Sequence, residues 1–315
     1  MAATTQVTST PERRPLMMAF AAVGWAVLII FAMLEIFPFV FTVANSFKCL
    51  PAVQSYPRSV IPVPPFNVEC STADGAARPP GEVSGSLTFN PTLEGYNEIL
   101  DAKLPRWLYN TVIFAVVVTI LRLAFDSLSG YALARLKFPG NRLIFFTILG
   151  TMMVPPIVLL IPRFIILKEM SMLNTYQGLI IPLSVDAFGI FLMKQFFESI
   201  PGEIEEAAMV DGASRFVMFF RVILPMATPA LTALAIFSFQ GTWNDFLMPL
   251  IILSGNDKLW TLPLGLSFLR GAYGETLRWH AFLAGSVITT LPLALIFFYF
   301  QRYFVEGISY SGLKG

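Results

Sequence analysis

Six long apolar runs limit what this chain can fold into. They cover roughly residues 16–47, 108–131, 143–166, 179–197, 226–253 and 282–304. A helix needs about 20 mainly apolar residues to cross a bilayer, and each run supplies them. Hydrophobic residues make up 56% of the chain and charged ones only 13%, with a mean hydropathy of +0.69. A soluble domain is typically about a quarter charged. The sequence therefore predicts an all-α membrane protein with six transmembrane helices. The first run is too long for a signal-peptide core and reads as a retained anchor.

Short flanking loops set the orientation of such spans. Arg13 and Arg14 precede the first run, and Arg135, Lys137 and Arg142 lie between the second and third. With both groups inside, residues 1–15 form a cytoplasmic tail and 16–47 the first span. Residues 48–107 form an external loop, and 108–304 a five-helix core that contains a cytoplasmic loop at 200–225. Residues 305–315 form a cytoplasmic tail. The external segment holds VIPVPPF and GAARPPG. That composition favours extended and turn structure over a packed core. Cys49 and Cys70 both lie in it. A disulfide is permitted outside the cytoplasm, so the two are either a bridge pinning the loop or a pair of free thiols.

Several function classes drop out. A net charge of +1 leaves no basic concentration to track phosphates, so nucleic acid is not an expected partner. The chain has no GxxxxGK[ST] loop, no GxGxxG after a strand, no HExxH and no CxxC. One histidine and two cysteines give no basis for a metal site. No catalytic residue and no cofactor are expected in this chain, and its energy source must lie outside it.

The loop at 200–225 is polar and acidic at its start, yet lies between two apolar runs. Pro201 and Gly202 end the fourth span. Glu203, Glu205 and Glu206 follow where a new helix would begin, and the helix dipole favours carboxylates there. Ala207, Ala208 and Met209 continue it as good helix formers. Gly212 suits a left-handed C-terminal stop, and Ser214 can cap a second helix. That helix carries Phe216, Phe219, Phe220 and Ile223 at amphipathic spacing. Leu224-Pro225 then leads into the fifth span. The stretch reads either as an interfacial hairpin that merely links two spans or as a docking element for another protein. The small Ala207-Ala208 pair beside carboxylates would let a partner approach closely.

Here the residues resemble a known family. The order EAA, three residues, Gly, nine residues, an aliphatic, one residue, Leu-Pro marks permease subunits of ATP-binding cassette importers. In this chain it reads Glu206-Ala207-Ala208, Gly212, Val222 and Leu224-Pro225. Val222 stands where isoleucine is commonest. WNDFLMPLIIL from Trp243, TLPLGLSFL from Thr261, AGSVITTLP from Ala284 and QRYFVEGISYSGLKG from Gln301 resemble the maltose-type carbohydrate permeases, in particular the smaller six-span member of the pair. PTLEGYNEIL from Pro91 is similar to the family's external segment before the second span. About forty residues between Lys48 and Pro91 are extra to the usual short form.

The resemblance implies a heterodimer with a second permease, two ATP-binding subunits on the cytoplasmic face and an external solute-binding protein that delivers sugar. ATP and magnesium would be bound by the partner subunits. Glu205, Glu206, Ala207, Ala208, Asp211, Gly212, Leu224 and Pro225 would form the ATPase-coupling loop. Within it Glu206 would pair with basic groups of the ATPase, the alanines would permit close contact, and Gly212 would set the turn. The tail with Gly312 and Lys314 is either a frayed end or, as the resemblance implies, an element inserted between the ATPases. The implied location is a bacterial inner membrane, with lipid around the spans and both termini in the cytoplasm.

A charge at mid-bilayer costs about 2.5–3.5 kcal/mol on insertion scales, so each polar group in a span needs an account. Arg122 and Asp126 are four apart and can pair on one helix face. Glu35 would face the partner permease or a pore. Gln240, Trp243, Asn244 and Asp245, with Gly241, cluster in the fifth run. They are candidates for a sugar path, which needs hydrogen-bonding groups and aromatic faces. The competing reading is hydrogen bonding between helices. His280 has no expected titratable role. The prolines Pro155, Pro156, Pro229, Pro249 and Pro292 can kink spans.

The expectation is a non-catalytic importer subunit for an oligosaccharide or polyol. A glycerol-phosphate-like solute is the alternative cargo. An ion-coupled carrier would favour an inverted repeat and mid-span acids. A membrane-embedded enzyme would need a nucleophile and base that this chain lacks.

Overall fold

The computed structural model describes residues 13–55, 92–269 and 278–312. Among the described residues there is no strand, and the elements are helices joined by short turns. The chain divides into two compact units, Met1–Asn97 with Trp279–Val287, and Glu98–Arg278 with Ile288–Gly315.

The first unit contains α1 (Arg13–Ser46), α2 (Leu50–Ser55), the start of α3 (Glu94–Asp101) and the first turns of α15 (Trp279–Gly312). Exposed apolar side chains cover α1 from Met18 to Val43, as a helix facing lipid requires. Beyond α1 the chain turns sharply. Lys48 donates from Nζ to Asn45 Oδ1 at 2.7 Å, and Thr92 N–H donates to Phe47 O at 2.8 Å. Ser46 and Tyr96 share a hydroxyl hydrogen bond of 2.8 Å. Gly95 lies so close to His280 O that a Cβ there would collide with it.

The composition of the external segment favours extended and turn structure over a packed core. Its described ends are instead helical and packed, with Lys48, Cys49, Ala52, Val53, Ile99, Leu104 and Trp107 buried. Ala52, Val53, Ile99, Leu104 and Trp107 give these ends apolar side chains to bury. Cys49 is disulfide-bonded. Cys70, the chain's other cysteine, and most of the extra insertion fall outside the described residues.

The second unit is built on α4 (Leu104–Arg135), with α8 (Ala187–Ser199) and α12 (Thr228–Trp243) against it. Asp126 meets Gly189, Gly130 meets Met193, and Arg135 meets Phe197, so α4 and α8 run side by side in the same direction. Asp186 starts α8 by accepting the Gly189 N–H at 3.2 Å, an N-cap. Before it come α7 (Tyr176–Ile180) and a 3-10 turn. Tyr176–Ser199 together are long and apolar enough to cross a membrane.

The third expected span is two helices, α5 (Asn141–Met152) and, after a 3-10 turn from Pro156, α6 (Leu160–Glu169), bent by 97°. Pro155-Pro156 sits at the break. A residue before proline is pushed out of helical geometry, and proline has no N–H to continue the ladder.

The fifth expected span, 226–253, is also interrupted. Helix α12 stops at Trp243, and α13 (Leu247–Ile252) follows after Asn244–Phe246. Short polar side chains offer the backbone other partners here: Asp245 Oδ1 accepts the Met248 N–H at 3.3 Å. After a 3-10 turn at Asp257–Leu259 comes the short helix α14 (Leu262–Leu269). Among the described residues four helices are long and apolar enough to cross a membrane, or up to six spans if each bent pair counts as one.

Two apolar clusters pack along α4. One joins Phe114 and Val118 to Leu167, Leu179, Met248, Ile252 and Leu264. The other joins Tyr131 to Met193, Phe197, Met218, Phe219 and Ile223. The second cluster is the floor on which the acidic loop sits.

Candidate coupling and translocation sites

The acidic loop is a hairpin of short helices. Helix α9 (Gly202–Val210) begins one residue after Pro201, with Glu203 and Glu205 in its first turn. It ends at Gly212, whose φ of +82° lies in the left-handed region. Ala213 N–H donates to Ala208 O at 2.9 Å, and Gly212 N–H to Met209 O at 3.0 Å. These are the two bonds of a Schellman stop. Ser214 then caps α10 (Arg215–Met218) by accepting the Val217 N–H at 3.4 Å. The chain passes through a π turn over Phe219–Ile223 and then α11 (Leu224–Met226). It bends by 79° into α12 at Ala227.

Periodicity along this loop divides its faces. Phe219 and Ile223 are buried with Tyr131 and Phe197, and the Tyr131 and Phe219 ring centroids lie 4.9 Å apart. Phe216 and Phe220, expected on the same apolar face, are exposed. The π turn shifts the register between them. Val210 is 88% exposed and Phe216 74%, beside the exposed Glu206, Ala207, Asp211 and Gly212. Ala208 and Leu224 lean on the cluster beneath, and Pro225 is exposed.

Glu205 differs from its neighbours. Its carboxylate is buried, 3.1 Å from Arg135 Nε and 3.9 Å from Arg215 Nη1. The Arg135 contact is an ion pair whose angle falls outside hydrogen-bond geometry. Arg135 spends another nitrogen on the carbonyls of Phe197, at 2.6 Å, and Ile200. The sequence had marked Arg135 only as a topology signal. The signal that would have found its role is a cation at the end of one apolar run with a carboxylate just past the end of another.

The side chains of the fifth-span cluster do not share one face. Gln240, Gly241 and Asn244 are exposed on one face of the end of α12. Trp243 points the other way: it is buried, stacked on Phe239 at 5.3 Å, and donates from Nε1 to Thr289 O at 3.2 Å. Asp245 is half-buried and serves the next helix. Arg122 and Asp126 do not pair. Arg122 donates to Leu183 O at 2.8 Å, and Asp126 accepts the Asp186 N–H at 3.0 Å. Gly312 closes α15, while Lys314 lies outside the described residues. Among the described residues no group of three or more His, Cys, Asp or Glu is placed to hold a metal ion.

The profile of the binding-protein-dependent transport system inner membrane components matches residues 126–310, more than half of the chain. The chain belongs to this family. The permease is 38% identical over 209 residues to the arabinooligosaccharides transport system permease AraQ of Halalkalibacterium halodurans, covering 66% of this chain and 74% of that protein. It is 32% identical over 293 residues to the diacetylchitobiose uptake system permease NgcG of Streptomyces coelicolor, covering 92% and 88%. It is 33% identical over 234 residues to the trehalose/maltose permease MalG of Thermococcus litoralis, covering 73% and 84%. A chain of a bacterial ABC transporter that imports the acidic polysaccharide alginate superposes with a TM-score of 0.73 over 95% of this chain, at 23% identity. That likeness shows the shared fold. The permease is thus a multi-pass membrane subunit of an importer that works with a partner permease, ATP-binding subunits and a solute-binding protein.

Proposed function

We propose that this permease forms, with a second related permease, the inward path for an oligosaccharide or polyol. It takes its energy from two ATP-binding subunits seated on the 202–226 hairpin. The hairpin carries the reading: Glu206 and Ala207 are exposed together on α9, and the Gly212 stop holds them. Glu206 pairs with basic groups of the ATPase, and Ala207 lets its surface approach. ATP and magnesium belong to those subunits, and ATP closure moves the hairpin by its differential affinity for the two states of the transporter.

Sugar as cargo is supported by the relatives, which are named for arabinooligosaccharides, diacetylchitobiose and trehalose/maltose. Gln240 and Asn244 line the path from the exposed face of α12. The N-terminus, the hairpin and the C-terminal tail with Gly312 and Lys314 lie on the cytoplasmic side of a bacterial inner membrane. An external solute-binding protein delivers the substrate.

Uptake of labelled oligosaccharide into vesicles holding the complete importer tests the reading. Uptake that requires ATP and the binding protein supports it, and uptake that persists without ATP refutes it. In the same preparation, Glu206→Lys is expected to insert normally and to lose the ATPase on purification.

A further inference from the structure

Glu203, Glu206 and Asp211 of the hairpin are exposed, but the Glu205 carboxylate is buried and cannot reach a partner. Glu205 is enclosed between Arg135, the last residue of α4, and Arg215, the first of α10. Arg135 in turn holds the carbonyls of Phe197 and Ile200 at the end of α8. Phe197 O already accepts the Ile200 N–H at 3.2 Å, so at this carbonyl the guanidinium adds a second bond to the C-terminal turn of the helix. One guanidinium therefore ties together the ends of two parallel spans and the first turn of α9. Arginine suits this place because its planar fork presents several donors at fixed angles.

We propose that Arg135 and Glu205 form an internal anchor that makes the hairpin and the ends of α4 and α8 move as one body. Arg135 is a positioning residue for energy coupling and makes no contact with the ATPase. When the ATPase pushes on the exposed side of α9, the ion pair passes the displacement to α4 and α8 together. The Tyr131, Phe197 and Phe219 rings beneath support the same block, with centroid distances of 4.9 to 6.3 Å. Without the anchor, α9 would still be a capped helix with its docking face intact, because its Schellman stop and the Ser214 cap do not involve Arg135. It would slip on the cluster when pushed. Apolar packing alone is not directional, whereas Arg135 adds a close charge pair to α9 and hydrogen bonds to the end of α8.

The inference rests on the hairpin being the ATPase-docking element, and the experiment separates the two. Complete importers carrying Arg135→Met, Arg135→Lys or Glu205→Gln are reconstituted in vesicles. ATPase affinity, ATP hydrolysis and sugar uptake are measured on each. The expected result for Arg135→Met and Glu205→Gln is ATPase affinity within about twofold of the parent and a fall of about tenfold in sugar moved per ATP, the usual scale of a coupling energy. Arg135→Lys, which keeps the charge and loses the fork, should recover part of that ratio. A ratio unchanged in Arg135→Met overturns the anchor while leaving ATPase docking in place. Loss of ATPase affinity in Arg135→Met and Glu205→Gln overturns it too, by making the pair part of the docking surface. If Arg135→Met does not accumulate, Arg135→Lys and Glu205→Gln decide, and an unchanged ratio in both overturns the proposal.

Discussion

Gly189 of α8 lies directly against the Asp126 carboxyl of α4, with Oδ2 where a Cβ would stand. Four residues along both helices, a Cβ on Gly130 would come within 2.8 Å of Met193 Cβ and 2.9 Å of Lys194 N. Small residues let membrane helices approach closely. Gly189→Ala is therefore expected to cost about 1–3 kcal/mol, the usual penalty of overpacking. Thermal unfolding in detergent would show it as a lower midpoint. Combining it with Asp126→Ala should recover part of the loss. An unchanged midpoint in the single variant would count against this packing.

Gly212 has a φ of +82° and open space beside it, so a side chain there meets backbone strain and no clash. Gly212→Ala should cost about 1–2 kcal/mol locally and loosen the stop between α9 and α10. The expected outcome is weaker binding of the ATPase with normal membrane insertion, read by titrating ATPase onto reconstituted permease. Equal affinity for variant and parent would separate the turn from docking.

Trp243 and Gln240 should respond in opposite ways. Trp243 is buried in the helix packing. Trp243→Ala is expected to cost about 3–5 kcal/mol of stability, as for other large core residues. Gln240 is exposed, so Gln240→Ala should leave the melting midpoint alone and slow sugar uptake. A stable Trp243→Ala with altered sugar preference would reassign the ring to the path.

Lys48 is buried, and that burial lowers its pKa from 10.5 to about 8. Below pH 8 the amine is charged in both folded and unfolded chains, and the burial cost is felt in full. Between pH 8 and 10.5 the unfolded chain binds more protons than the folded one, so stability rises with pH across that window. Lys48→Met should remove this component of the rise. Parallel melts of parent and variant at pH 7.5, 8.5 and 9.5 would reveal it, and identical slopes would contradict it.

Much of this was legible in the sequence because membrane insertion demands long apolar runs and turn chemistry demands particular residues. Gly212 and Ser214 sit where the pattern placed a stop and a cap. What hydropathy could not show was how a run is divided. The stretch 226–253 is apolar throughout apart from a few residues, yet Asn244 and Asp245 end one helix and start another. Nor could it tell Glu205 from Glu206. They are neighbours in sequence, but a helix turns about 100° between them, which puts one against Arg135 and the other outward. The direction of Trp243 was hidden for the same reason: its role depends on Phe239 and Thr289, and only the second of these is distant in sequence.

The 79° bend at Ala227 gives the hairpin leverage. The segment Arg215–Met226 has 12 residues and, at about 1.5 Å each, reaches about 18 Å. Set nearly at right angles to α12, it is a crank on a shaft. A sideways shift of about 3 Å at its far end turns the shaft by about 10° around its own axis, given that arm length. Such a turn would swing Gln240 and Asn244 around the end of α12 without lifting or tilting the helix. A straight span pushed in the same way could only slide or lean.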